Sequence, residues 1–224
     1  MRSPLIPSFW VKVVMAATGL VFAAFVLVHM LGNLKVYAGA THFDGYARWL
    51  RSMFNPLFPH EALLWVARVV LCVCLVLHVS GGVVLAVRAR RARGDFPRRA
   101  LHRSSFAART MLATGLAVLG FLAFHLLDLT LGARPVAHPA FDASSPYTNL
   151  VASFQRPWVA ALYGGVMLLL SAHLAHGLWA SAHDLGVQGP RARRLALRGS
   201  AVFALVVTLG NLSIPIAVLL GVIR

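Results

Sequence analysis

Five apolar segments, each long enough to cross a lipid bilayer as a helix, dominate this sequence. A crossing takes about 20 apolar residues in helical form. Of the 224 residues, 59% are hydrophobic and only 12% are charged, which is too apolar for a water-soluble domain of this length. The sequence therefore predicts an all-α integral membrane protein, one domain over residues 1–224, with five transmembrane helices near 10–37, 61–88, 106–131, 157–182 and 199–223.

The formal net charge of +15 comes mainly from the links between these segments. Of the 21 Lys and Arg residues, two lie near the N-terminus, eight between the second and third segments and four between the fourth and fifth. The positive-inside rule then places the N-terminus and both links in the cytoplasm and the C-terminus outside. A basic rim at a membrane surface explains the charge without a nucleic-acid partner. The first segment lacks a small-residue cleavage site, and we expect it to be retained as a helix.

Four histidines lie inside four different apolar segments. An imidazole in lipid has no water to bond, so intramembrane ionisable residues usually have a binding or transport role. The rise of a helix is about 1.5 Å per residue. His29 and His125 therefore lie about 24–26 Å from the basic flanks of their segments, whereas His78 and His173 lie about 15–16 Å from the inner flanks of theirs. The sequence therefore predicts an outer pair and an inner pair: His29 with His125, and His78 with His173.

Two levels with two histidines each are what bis-imidazole ligation of two b-type haems requires. The covalent attachment motif C-x-x-C-H does not occur in the sequence, so such haems would be held without covalent bonds. Each histidine taken alone could instead hydrogen-bond a neighbouring helix. His176 lies three residues after His173 on nearly the same helix face, and it could replace His173 as ligand, bond a haem propionate or be structural.

The remaining histidines fall in links or at helix ends, where we expect them to be solvated. The two outer links, 38–60 and 132–156, are longer than the basic links and rich in aromatic and polar residues. Short amphipathic helices on the outer surface would explain Tyr46, Trp49 and Phe54. No internal repeat is evident in the chain.

The histidine motifs resemble those of a known family. HMLGN (His29 to Asn33), the mid-segment His78 and His125, and HLAHGLWASAHDLG (His173 to Gly186) resemble the five-helix, single-chain cytochrome b subunit of succinate:quinone oxidoreductases and quinol:fumarate reductases, the dihaem respiratory complex II. The resemblance covers nearly the whole chain. It implies that the first four helices supply the axial ligands of two haem b groups, that the fifth helix only packs, and that His173 rather than His176 is the fourth ligand.

The resemblance also implies partners. Such a subunit is a membrane anchor in the bacterial cytoplasmic membrane, and it holds a flavoprotein with FAD and an iron–sulfur subunit on the cytoplasmic side. Electrons from succinate would pass through the iron–sulfur subunit, the inner haem and the outer haem to a quinone, usually menaquinone. Alone, the chain would have no activity beyond haem and quinone electron transfer, and the complex could form higher oligomers.

A quinone site needs a proton-exchanging group near a haem and a path to water. Candidates on the outer side are His42, Asp44, Glu61 and Asp128. Carboxylates at helix ends are usually solvated residues at the membrane surface. We expect each of the four candidates to be such a residue. Arg68 falls inside the second helix. It should neutralise an outer haem propionate or a nearby acid such as Glu61.

Three other interpretations fit the same segments. One is the cytochrome b subunit of a different membrane oxidoreductase, such as a formate dehydrogenase or a hydrogenase. Another is a complex II anchor with fewer haems. The third is a non-redox transporter or scaffold whose histidines relay protons.

Overall fold

The computed structural model describes the backbone of residues 6–93 and 103–224 and the side chains of residues 6–92 and 110–224. Within these residues the chain is all-helical, without a strand. The prediction of five membrane-spanning helices is confirmed by length and composition, because five helices are long and apolar enough to cross a bilayer. Seven α-helices occur in the described parts of the chain: α1 Ser8–Asn33, α2 Ala40–Ser52, α3 Ala62–Arg93, α4 Arg103–His125, α5 Pro146–Phe154, α6 Pro157–Asp184 and α7 Pro190–Leu219.

Two of the spanning helices continue in a different helical form. A 3-10 helix over Leu34–Ala38 extends α1, and a π-helical turn over Leu126–Thr130 extends α4. The predicted ends of the first four spans are otherwise close, except that α3 continues to Arg93, five residues beyond its predicted end.

The predicted start of the fifth spanning helix was wrong by nine residues, because α7 begins at Pro190 rather than near 199. Apolar length alone placed the start after the basic link. The arginines of this link alternate with Ala and Leu, all good helix formers, and Pro190 has the fixed φ suited to a first helical position. The link is thus mostly the first turns of α7, which carry exposed arginines: Arg191, Arg193, Arg194 and Arg198.

The two long links contain the short helices that their composition predicted. Tyr46 and Trp49 lie in α2, whereas Phe54 follows it in a turn with a φ of 69°. The second link contains α5. Asp44 ties the links together, because its Oδ1 accepts a hydrogen bond from the Tyr147 backbone N–H at 2.9 Å.

The bundle has two chemically different ends. At the basic end, Lys12 Nζ lies 3.0 Å from Asp184 Oδ1, and Arg88 Nη2 donates to the Ile6 carbonyl at 2.8 Å. At the link end, the Tyr147 hydroxyl donates to the carbonyl of the C-terminal Arg224 at 2.9 Å. The described N-terminal residues and the C-terminus therefore lie at opposite ends of the bundle.

Apolar residues form most of the buried contacts between the helices and also cover much of the exposed helix surface. A cluster at the link end joins α5, α6 and α7 around Val159 and Ile214, and a second cluster joins α1, α6 and α7 around Met30 and Val207. On α3 the exposed residues are large and apolar: Trp65, Val66, Val69, Val70, Val73 and Val76. Such faces suit contact with lipid rather than water.

Replacement of Gly132 should destabilise the link end. Gly132 has a φ of +63°, and a Cβ at this position would overlap the Phe141 ring. A non-glycine residue in this conformation costs about 1–2 kcal/mol before any clash, so Gly132→Ala should lower the thermal unfolding midpoint in detergent. Gly199→Ala is the matched control, because a Cβ at Gly199 meets open space within α7 and should leave stability unchanged or raise it by up to about 1 kcal/mol. Equal midpoints for the two variants would contradict the account.

Candidate functional site

The structure brings the four intramembrane histidines together in two pairs. The ring centroids of His78 on α3 and His173 on α6 are 6.3 Å apart, with an interplanar angle of 63°. Those of His29 on α1 and His125 at the end of α4 are 5.9 Å apart, with an angle of 87°. These are the two pairs that the depth of each histidine in its segment predicted.

The separation within each pair fits two imidazoles that share one metal ion. A metal–imidazole nitrogen bond is about 2 Å long, and a ring nitrogen lies about 1 Å from its centroid, so two opposed ligands have centroids about 6 Å apart. In the described parts of the chain, no group of three or more His, Cys, Asp or Glu could enclose a metal ion. A pair of histidines at this spacing would suit a haem, whose porphyrin supplies the other ligands to iron.

Three of the four rings are hydrogen-bonded through Nδ1 to a hydroxyl on another helix. His78 Nδ1 lies 3.1 Å from Thr18 Oγ1, and His125 Nδ1 lies 3.1 Å from the Tyr163 hydroxyl. His173 Nδ1 lies 3.3 Å from Thr114 Oγ1. Metal-bound histidines typically use their second nitrogen in this way, which orients the ring and leaves the other nitrogen for the metal. The fourth ring, His29, stacks on Phe25.

Behind His125 lies a buried ionic network centred on Asp128, which is 1% exposed. Its Oδ1 accepts a hydrogen bond from Arg156 Nη2, and its Oδ2 accepts one from Ser153 Oγ. The Tyr163 hydroxyl also donates to Oδ2, at 3.4 Å. Asp128 is thus connected to His125 through one tyrosine.

The expectation that Asp128 is a solvated rim residue was wrong. The π-helical turn that follows α4 carries Asp128, and such turns are frequent at functional sites. Arg156, whose side chain is 18% exposed, neutralises the carboxylate, which makes the burial tolerable. Sequence reasoning missed Arg156 and Tyr163 because they belong to another segment. The available signal was a carboxylate one helical turn after an intramembrane histidine, with an arginine just before the next span.

The other predicted polar candidates have separate partners. Asp44 binds the Tyr147 backbone, as described above. Glu61 forms ion pairs with Arg51 and Arg68, at 3.4 and 3.3 Å, and Arg68 also lies over the Trp65 ring. Of the two partners predicted for Arg68, the structure contains the acid, and contact with a haem propionate stays a prediction.

His42 and His176 occupy different surroundings. His42 lines an open cleft of about 670 Å³ at the link end, together with Lys35, Tyr46 and Trp49. His176 is half-buried on α6, and its ring lies 5.5 Å from the Trp179 ring. The ring paired with His78 is that of His173, so the choice of His173 over His176 agrees with the geometry.

Comparisons of the chain with protein-family models, with curated proteins and with solved structures find no match. The resemblance of the histidine motifs to dihaem cytochrome b anchors therefore stays a prediction. The structure adds the two histidine pairs and the network behind His125.

The buried ion pair should be strongly coupled. Removing one partner leaves the other charge buried and unpaired, which costs about 3–5 kcal/mol, so Asp128→Asn and Arg156→Met should each lower the thermal unfolding midpoint sharply. The double variant should be much less destabilised than the sum of the two. A double-mutant cycle on the purified protein measures this coupling.

The matched control is the ion pair between Lys12 and Asp184, whose side chains are 50% and 29% exposed. Exposed pairs contribute at most about 1 kcal/mol, so Lys12→Met and Asp184→Asn should be nearly additive. A cycle at Asp128 and Arg156 that is as additive as this control would contradict the network.

Proposed function

We propose that this chain is the dihaem cytochrome b anchor of a succinate:quinone oxidoreductase or quinol:fumarate reductase, which passes electrons between an iron–sulfur subunit and a quinone. The observation that supports this most directly is the pair of ring separations, 5.9 and 6.3 Å, each between histidines of different spanning helices. Separate structural roles for the four histidines would not account for two pairs, each at the spacing of two axial ligands.

His78 and His173 would hold one haem b, and His29 and His125 the other. Each haem, when bound, supplies a reversible one-electron carrier. The chain orients the imidazoles through Thr18, Thr114 and Tyr163 and surrounds them with apolar helices. This excludes water from the ligands.

The two pairs lie at different depths, as electron transfer across a membrane requires. Thr18 contacts His78, and His29 follows 11 residues later on the same helix. At about 1.5 Å per residue the two levels are about 16 Å apart along α1. We assign the His78 level to the cytoplasmic side, because it is nearer the basic end of the bundle.

The cleft at the link end is the best candidate for the quinone, which we expect to be menaquinone. Lys35 and His42 offer hydrogen-bond donors, and Tyr46 and Trp49 offer apolar surface. Tyr46 also packs against Gly32, where a Cβ would lie 2.9 Å from its ring. Since Gly32 is three residues from His29, the cleft lies close to the histidine pair of the link end.

The soluble subunits would dock at the basic end. The first turns of α7 carry exposed arginines at this end, where Arg88 and Lys12 also lie. We expect the partners to be an iron–sulfur subunit and a flavoprotein with FAD, as in the family that the motifs resemble, within the bacterial cytoplasmic membrane. The same charges also fix the orientation of the helices in the membrane.

Single histidine variants should divide into two groups. His78→Ala and His173→Ala should lose the same haem, and His29→Ala and His125→Ala should lose the other, because each iron needs both ligands of its pair. Redox titration of the reduced-minus-oxidised spectrum of each purified variant identifies the component that is lost. His78→Ala combined with His173→Ala should lose no more than either alone.

His60→Ala is the control, because His60 is exposed in the first link, and this variant should keep both haems. Combining His78→Ala with His29→Ala should remove all b-type absorbance. Loss of different components in His78→Ala and His173→Ala would contradict the pairing. Wild-type protein that is folded but carries no haem would contradict the proposed function itself.

A further inference from the structure

Two 15-residue segments of the spanning helices have similar sequences. Residues 15–29 of α1 read MAATGLVFAAFVLVH, and residues 111–125 of α4 read MLATGLAVLGFLAFH. Seven positions are identical, all at a separation of 96 residues. The expectation that the chain contains no internal repeat was therefore wrong. The repeat is easy to overlook because both copies lie in apolar segments, which all have similar composition. The identical residues are a Met, an Ala, a Thr, a Gly, a Leu, a Phe and the final His.

The two copies of this repeat make the same contacts with the histidine of the following spanning helix. Thr18 bonds His78, and Thr114 bonds His173. The glycine after each threonine lies against the same ring. A Cβ at Gly19 would be 3.4 Å from His78 Cε1, and a Cβ at Gly115 would be 3.2 Å from His173 Cε1.

The ends of the repeat match as well. The phenylalanine four residues before the final histidine stacks on it in both copies, Phe25 on His29 and Phe121 on His125. The chain thus contains two similar helical hairpins, α1 with α3 and α4 with α6. Each hairpin donates one histidine to each level, so each pair is formed between the hairpins.

Both threonine hydroxyls are placed to donate within their own helix and to accept from the histidine. Thr18 Oγ1 lies 2.8 Å from the Val14 carbonyl, and Thr114 Oγ1 lies 3.0 Å from the Thr110 carbonyl, one helical turn earlier in each case. A hydroxyl has one hydrogen, and here it is used within the helix. With that hydrogen directed to the carbonyl, the ring donates from Nδ1, which places the lone pair of the neutral imidazole on Nε2.

We propose that Thr18 and Thr114 are matched positioning residues, which hold His78 and His173 in the Nδ1–H tautomer and direct their Nε2 atoms at one iron from opposite sides. This inference rests on the proposed function of that pair. A hydrogen bond accepted from the Nδ1–H of a ligand makes the imidazole more basic and favours the ferric state. Because both threonines act on one iron, loss of either hydroxyl shifts the same haem in the same direction.

The experiment compares Thr18→Val and Thr114→Val, which keep the shape and remove the hydroxyl, in membranes containing the full-length chain. Redox titration followed by absorbance and by the EPR signals of the ferric haems resolves the two components. Each variant should raise the midpoint potential of the component that His78→Ala removes. We expect the equilibrium between the ferric and ferrous haem to shift about tenfold toward the ferrous state, which raises the midpoint potential by about 59 mV for one electron. The double variant should shift further.

Two sets of variants separate positioning from packing. Thr18→Ser and Thr114→Ser keep the hydroxyl and should restore the wild-type potential. Thr208→Val is the matched control on α7, because Thr208 is equally buried and bonds its own helix at the Ala204 carbonyl. It should leave both potentials unchanged. If a valine variant fails to accumulate, Thr18→Ala and Thr114→Ala remove the hydroxyl without adding a methyl group in its place and give the same test.

Unchanged potentials and EPR signals in the hydroxyl-less variants, with both haems bound, would overturn the inference and leave the proposed function intact. Shifts in two different components would also overturn it. Wild-type protein without b-type haem would instead reject the proposed function, so the two failures are distinguishable.

Discussion

The structure depends on which partners bond the ring nitrogens of four imidazoles inside apolar helices. Each ring has two nitrogens, and in lipid neither can rely on water. For three rings, Nδ1 is bonded to a hydroxyl of a neighbouring helix, while the four rings meet in two pairs at about the separation of opposed axial ligands. This requirement determines which helices must be neighbours. Helix α1 has to contact α3, α4 has to contact α6, and the two hairpins have to face each other.

The two histidine levels share this logic but differ in electrostatics. The pair nearer the basic end is held by the neutral hydroxyls of Thr18 and Thr114, through matched contacts that follow from the sequence repeat. At the other level, His125 is connected through Tyr163 to the buried Asp128 and its partner Arg156, whereas His29 stacks on Phe25. The repeat thus supplies equivalent contacts in the two hairpins, and the charged network at the link end is connected to one of the four histidines, His125.

Much of the architecture was predictable because bilayer thickness and helix rise are fixed quantities. Apolar length gave the number of spans, and the distance of each histidine from its charged flank gave the pairs. The start of α7 was not predictable from hydropathy, because its first turns are basic yet helical. Asp128 was misjudged for a related reason: its burial depends on Arg156 and Tyr163, which are distant in sequence and meet it only in the folded bundle. The repeat was visible in the sequence, but its meaning required the contacts between Thr18 and His78.

The number of haem groups bound per purified full-length chain tests the central claim most directly. A pyridine haemochrome assay set against quantitative amino-acid analysis gives this ratio without any assumption about partners or direction of electron flow. The account predicts two b-type haems per chain. A folded, monodisperse and colourless protein would contradict it, because the two imidazole pairs would then have no shared ligand to explain their spacing.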